Sequence, residues 1–236
     1  MDYKYTVRYS KRKTLAIKIS AEEGLVVLAP YNCSKKYIDK LLKEKQQWIE
    51  KNYKDIYELR TSIGDRENIE KIMFLGKVYN IKIRYSSLKK SAAALEGDTV
   101  TVRLFGALEF NEENRIKALR TVLRAWYAEE GYEILQQKTS RYAERLGVKF
   151  NKITIKDVKT RWGSCSSLGN INYNIRLIMM PEDVVDYIVL HELSHLVYMN
   201  HSKEFWKYVE SFITDYKSRE EKLKRLSSSV KLYWKF

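Results

Sequence analysis

Three histidines occur in this chain of 236 residues, and all of them fall between positions 191 and 201. They lie in YIVLHELSHLVYMNHSKEFW, residues 187–206. Pro181, Glu182 and Asp183 are good first-turn residues, and the apolar periodicity that follows predicts a helix over 182–199. Within it His191 and His195 are four residues apart, so their rings share one face about a turn from each other. Two imidazoles so placed can hold one metal ion. Glu192, on a neighbouring part of the same surface, can reach a metal-bound water without ligating the metal. This is the HExxH pattern.

A hydrolytic zinc site needs a third protein ligand and one open position. His201 follows His195 after five residues, LVYMN. Metzincins use the same interval but place a glycine third within it, where this chain has Tyr198. The bend is therefore expected at Asn200, which tolerates left-handed backbone, with Ser202 capping a second helix. A lone HExxH arises by chance, and a histidine on an apolar face is more often packed than ligating. Chance would also scatter three histidines. Three imidazoles favour zinc over iron, whose facial triad takes two histidines and a carboxylate.

The remaining sequence sets bounds. With 44% hydrophobic residues the chain can bury a core. No apolar run approaches the roughly 18 to 20 residues that cross a bilayer, and the N-terminus has no signal-peptide pattern. Cys33 and Cys165 are too far apart to form a metal knuckle, so a cytoplasmic setting and no membrane partner are expected. The net charge of +14 is concentrated toward the ends, with 14 basic against 8 acidic residues in 1–60. Such a balance suits nucleic-acid contact and equally a lysine-rich solvated surface.

Alternation predicts strands at 3–9 and 14–20, a turn ahead of Gly24, and a strand closed by Pro30. Ser34 is expected to cap a helix reaching about Leu59, with Ile38, Leu41, Leu42, Trp48 and Ile49 on one face. Strands at 72–85 and 99–105 follow, the second after Glu96-Gly97-Asp98. Asn111 begins a long helix bearing Ile116, Leu119, Leu123 and Trp126 and ending near Gly147. After the extended stretch ITIKDV, residues 171–177 alternate apolar Ile171, Tyr173, Ile175 and Leu177 with polar neighbours, as in a strand with one buried face. The expected fold is α+β: a β-rich region over 1–110 with one long helix, then a small zincin-like metallopeptidase domain over 111–236.

The segment RWGSCSSLGNINYNIRLIMMPEDVVDYIVLHELSHLVYMNHSKEFW resembles the YgjP-like branch of the SprT-like zinc metallopeptidases. That family runs RWGSCS, a strand, a helix with HELxH, and NHSxxFW. Arg161 to Ser166 match the first block; His191, Glu192 and His195 match the second; Asn200-His201-Ser202 and Phe205-Trp206 match the third. The chain departs at Ile175, where relatives carry tryptophan. The resemblance implies zinc held by His191, His195 and His201, Glu192 as catalytic acid/base, and a peptide or protein substrate. Some relatives are labelled nucleotide pyrophosphatases and others act on DNA-bound proteins, so those remain as alternatives.

Candidates for contacting substrate or steadying an oxyanion are Arg161, Trp162, Asn174, Arg176 and Tyr198, with Tyr208 a further oxyanion candidate. Residues 161–165 are expected to form a turn near the metal helix, with Gly163 supplying backbone freedom and with Trp162 and Cys165 either in the core or shaping a subsite. The strand 171–177 is either interior or open to an added substrate strand. Phe205 and Trp206 are expected to pack helices.

Overall fold

Strand and helix signals alternate unevenly along the chain, and the computed structural model resolves them into two compact units, residues 1–68 joined by 227–235, and residues 69–226. The described residues are 5–20, 24–50, 69–87, 90–106 and 112–234. In the first unit, β1 (Tyr5–Ser10), β2 (Ala16–Ser20) and β3 (Gly24–Pro30) form a sheet ordered β1-β3-β2, with β1 parallel and β2 antiparallel to the central strand. Ser34 caps α1 (Lys35–Glu44) as expected, its side chain accepting from the Tyr37 amide. Val27, Ala29 and Ile38 form the core of this unit, with Tyr5, Val7, Leu15, Cys33 and Leu42 against it. The helix is interrupted at Lys45 before helical turns resume at 46–50, and this shifts the buried face: Ile49 is buried whereas Trp48 is exposed. The expected continuation to Leu59, the residues between β2 and β3, and the Asn111 cap lie outside the described residues.

The second unit holds the histidines. Its first sheet contains β4 (Lys71–Phe74), β5 (Lys77–Ser86), β6 (Ala92–Glu96) and β7 (Thr99–Phe105), ordered β4-β5-β7-β6. The single strand expected over 72–85 is therefore a hairpin. It turns through Leu75 (φ 47°) and Gly76 (φ 77°). Leucine is held in this left-handed conformation by tertiary bonds: the amides of Leu75 and Gly76 donate to the carbonyls of Ile178 and Met179 at 2.8 and 3.1 Å. A side chain at Gly76 would lie 2.8 Å from Pro181, so the hairpin fits tightly against the start of the metal helix. Strand β6, with sequence AAALE, carries no β-branched or aromatic residue, which is why alternation did not mark it.

Helix α2 (Glu112–Leu146) buries Leu119, Leu123, Trp126, Tyr127, Gly131, Leu135, Thr139, Tyr142 and Ala143, a stripe with three- and four-residue spacing. Tyr127 donates to the Met73 carbonyl at 2.6 Å, and Lys138 bonds Asp186 at 2.8 Å on the metal helix. Gly147 (φ 67°) ends the helix as expected.

A second sheet follows: β8 (Lys152–Lys156), β9 (Gly163–Cys165) and β10 (Asn170–Asn174), ordered β8-β10-β9. The strand expected over 171–177 stops at Asn174. Residues Ile175–Met179 form a 3-10 turn whose Ile175, Leu177, Ile178 and Met179 are all buried. Burial on every side there, with Arg176 as one polar interruption, imitated strand alternation. Three helices complete the unit and chain: α3 (Glu182–Ser194), α4 (Lys203–Phe212) and α5 (Tyr216–Tyr233).

Candidate metal centre

The metal helix α3 starts where expected and ends early. It stops at Ser194, and the amides of Leu196 and Val197 bond the carbonyls of Leu193 and Ser194 three residues back. The last turn thus tightens to 3-10 geometry. The chain bends at Met199–Asn200, where a bend is expected, but without left-handed backbone: Leu75 is the one non-glycine with positive φ among the described residues. Ser202 then caps α4, accepting from the Phe205 amide.

This path brings the three imidazoles together. A ligand atom from each of His191, His195 and His201 lies within 4.8 Å of the others, and no other such group occurs among the described residues. The Nε2 atoms of His191 and His201 are 3.0 Å apart. Nitrogens bound tetrahedrally at 2.0–2.1 Å from zinc stand about 3.3 Å apart, close to the spacing of this pair. His195 Nδ1 donates to the Tyr198 carbonyl at 3.1 Å, which leaves Nε2 as the nitrogen with a lone pair for metal. His191 is pushed down to about 3, first by burial and then by His195 and His201, so its imidazole is neutral at physiological pH. Three imidazoles, with no fourth ligand grouped with them among the described residues, fit a hydrolytic zinc site with an open position.

Beneath the trio lies an aromatic floor. The buried ring of Phe205 is centred 5.0, 4.7 and 4.9 Å from those of His191, His195 and His201. Trp206 lies beside His191 and His201. Both residues pack helices, as expected, and Phe205 also fixes the spacing of the imidazoles. Phe205 stands one helical turn after His201, a spacing that was visible in the sequence.

Glu192 is buried, and burial pushes its carboxyl up to about 8 against the opposing pull of Arg161. Gly163 is what makes room for it. A Cβ built on Gly163 would lie 2.6 Å from Glu192 Cγ and 2.7 Å from Cδ, and would also strike Oε1. The glycine is required for close approach rather than for backbone freedom, because its φ is not positive. Nor is 161–165 a turn, since 163–165 form strand β9.

The other candidates separate by what they already hold. Asn174 is buried; its amide donates to the carbonyls of Val158 at 2.7 Å and Arg161 at 2.8 Å and accepts from the Arg176 amide. It clamps the loop before β9. Arg176 is paired with Asp157 at 2.6 Å, and the Tyr208 hydroxyl donates to the Leu146 carbonyl. Trp162 is half-buried, its carbonyl accepting from the Asn174 amide. Tyr198 is half-buried against Tyr208. Arg161 is exposed, with its charge felt at Glu192. Cys165 stays a protonated thiol, pushed up to about 11 by burial and by Glu192.

Burial of Glu192 has a measurable cost. The folded protein, free of metal, holds the Glu192 proton up to about pH 8, whereas the unfolded chain releases it near 4.5. Stability from this group is complete below pH 4.5 and declines as pH rises toward 8. Metal-free Glu192→Gln is expected to melt above the metal-free wild type at pH 8, by on the order of a few kcal/mol, and level with it at pH 4. Thermal unfolding in chelator at both pH values measures this; a gap of equal size at the two would contradict it.

A family model described as YgjP-like, metallopeptidase domain, matches residues 13–226. Among solved structures, the metallopeptidase zymogen abylysin of Pyrococcus abyssi is 26% identical, with TM-score 0.36, over 39% of this chain and 94% of that one. The zymogen jannalysin of Methanocaldococcus jannaschii is 21% identical, with the same TM-score and coverage. Curated protein sequences yield no match. No described helix is long and apolar enough to cross a membrane.

Proposed function

The chain belongs to the YgjP-like metallopeptidase family, and on that premise we propose that it is a zinc-dependent peptidase in which Glu192 is the general base. The observation that carries this reading is the convergence of His191, His195 and His201 within 4.8 Å, with buried Glu192 next to His191 in the chain. Zinc, when bound, supplies the Lewis acidity that brings the pKa of water toward 7 and polarises a carbonyl oxygen. Glu192 takes the proton of the attacking water on its carboxylate and returns it to the leaving amine. Arg161 and Tyr198 are the remaining candidates for steadying the developing oxyanion, because Asn174, Arg176 and Tyr208 hold other partners.

The substrate strand belongs on β9. Strand β10 is central, paired on one side with β8 and on the other with β9, so it cannot accept a further strand. Along β9, the Trp162 carbonyl and Ser166 amide bond β10. By antiparallel alternation the backbone groups of Gly163 and Cys165 therefore point to the open edge. An extended peptide pairing there passes beside Glu192, against which Gly163 rests.

The test is hydrolysis of an unfolded protein by the purified chain with and without chelator, beside nucleoside triphosphates and salt-dependent DNA binding. Chelator-sensitive peptide cleavage and about one zinc per chain support the reading. Cleavage confined to triphosphates would overturn it.

A further inference from the structure

The Tyr198 carbonyl orients His195, whereas His191 and His201 hydrogen-bond each other, Nε2 to Nε2 at 3.0 Å, and that contact ties neither ring to the scaffold. Nδ1 of His191 is buried without a hydrogen-bond partner among the described residues, and its ring is held by Tyr187, Phe205 and Trp206. His201 is exposed and stands on the short connection between α3 and α4, where an imidazole has the most freedom to turn away. Its partners are rings. The Trp206 indole lies 5.6 Å from it at an interplanar angle of 26°. Trp206 is in turn 5.3 Å from Tyr216 at 15°. Tyr216 is buried at the first position of α5, its amide bonded to the Ile213 carbonyl. Three near-parallel rings thus run from an anchored helix start to the least constrained imidazole of the trio.

We propose that the Trp206–Tyr216 pair is the positioning element for the third metal ligand, setting where His201 stands and so how tightly the chain holds a divalent ion. The proposal rests on the metal-centre reading above. Histidine ligands are ordinarily oriented by an outer hydrogen-bond partner, whose loss weakens metal binding. Here ring stacking performs that work. Ligation draws electron density out of an imidazole, and an electron-poor ring stacks better on an electron-rich indole. Metal binding and the stack therefore strengthen each other. Tyr216 acts through its ring face rather than its hydroxyl, since its role is to hold the indole flat.

The experiment is a zinc titration against a chromophoric chelator, with the visible spectrum of the cobalt-loaded protein as a second readout, on wild type, His201→Ala, Trp206→Leu, Trp206→Phe, Tyr216→Leu and Tyr216→Phe. Trp206→Leu is expected to weaken zinc binding by about 10- to 100-fold and to alter the cobalt spectrum. Trp206→Phe should recover most of that loss, Tyr216→Leu should show part of it, and Tyr216→Phe none. Melting of the metal-free variants reports whether each is folded. Wild-type affinity and spectrum in Trp206→Leu, or no recovery in Trp206→Phe, would overturn the positioning role. If Trp206→Leu does not fold, Tyr216→Leu decides, and unchanged affinity there overturns the proposal. Failure of wild type to bind zinc, or His201→Ala binding as tightly as wild type, would overturn the metal-centre reading and this proposal with it.

Discussion

Glu192→Gln is expected to lower peptide hydrolysis by about 1,000-fold while leaving zinc content at the wild-type level. Glutamine matches glutamate in shape, so the buried position keeps its packing and the cluster of His191, His195 and His201 is not disturbed. What disappears is the ability to accept a proton from water and deliver it to a departing amine. The metal-free carboxyl lies near 8, where a base is matched to neutral pH, and a nearby dication moves it toward the ionised form needed for the first transfer. Steady-state cleavage and metal analysis of the same preparation decide the matter. Retained hydrolysis would remove Glu192 from the role; loss of zinc together with activity would make it a support of the site rather than the base.

A single methyl group at Gly163 should do comparable damage from the opposite side. In Gly163→Ala the new carbon would approach Glu192 Cγ to 2.6 Å, well inside the 3.5–4.0 Å of a favourable carbon contact. Something must yield. Strand β9 is held in register by β10 through Trp162 and Ser166, so the displacement falls largely on the Glu192 side chain. Overpacking of this kind costs about 1–3 kcal/mol, and a catalytic group moved by about 1 Å costs about 100-fold in rate. The expected result is a lower kcat, a modestly lower Tm and unchanged zinc affinity. Zinc loss alongside activity loss, or wild-type kcat, would contradict the assignment of Gly163 as the seat of the base.

The histidine cluster was legible because local spacing encodes it: His191 and His195 lie four residues apart, and His201 comes immediately before the helix cap at Ser202. Helix ends were readable wherever a cap is local, as at Ser34 and Gly147. What escaped was decided by distant partners. Leu75 adopts a conformation leucine avoids because carbonyls of the 3-10 turn receive the hairpin's amides, and no pattern around residue 75 announces it. Gly163 looks like an ordinary flexible residue until Glu192 is placed against it. The bonds that Asn174 makes to Val158 and Arg161, and Arg176 to Asp157, likewise appear only once the loop has folded back. The early end of α3 depends on 3-10 bonding around Leu196 and Val197, which an apolar run does not distinguish from a further α-turn.

The hairpin at Leu75–Gly76 sets the smallest piece of this protein able to work alone. Cutting at residue 110, where the change from strands to a long helix suggests a boundary, would strip two peptide donors from Ile178 and Met179 and bare the flank of Pro181, at the very root of the helix that carries His191. The histidine cluster is thus stitched to a hairpin just over a hundred residues upstream of the carbonyls it bonds. A trimmed catalytic fragment would begin with its scaffold already undone.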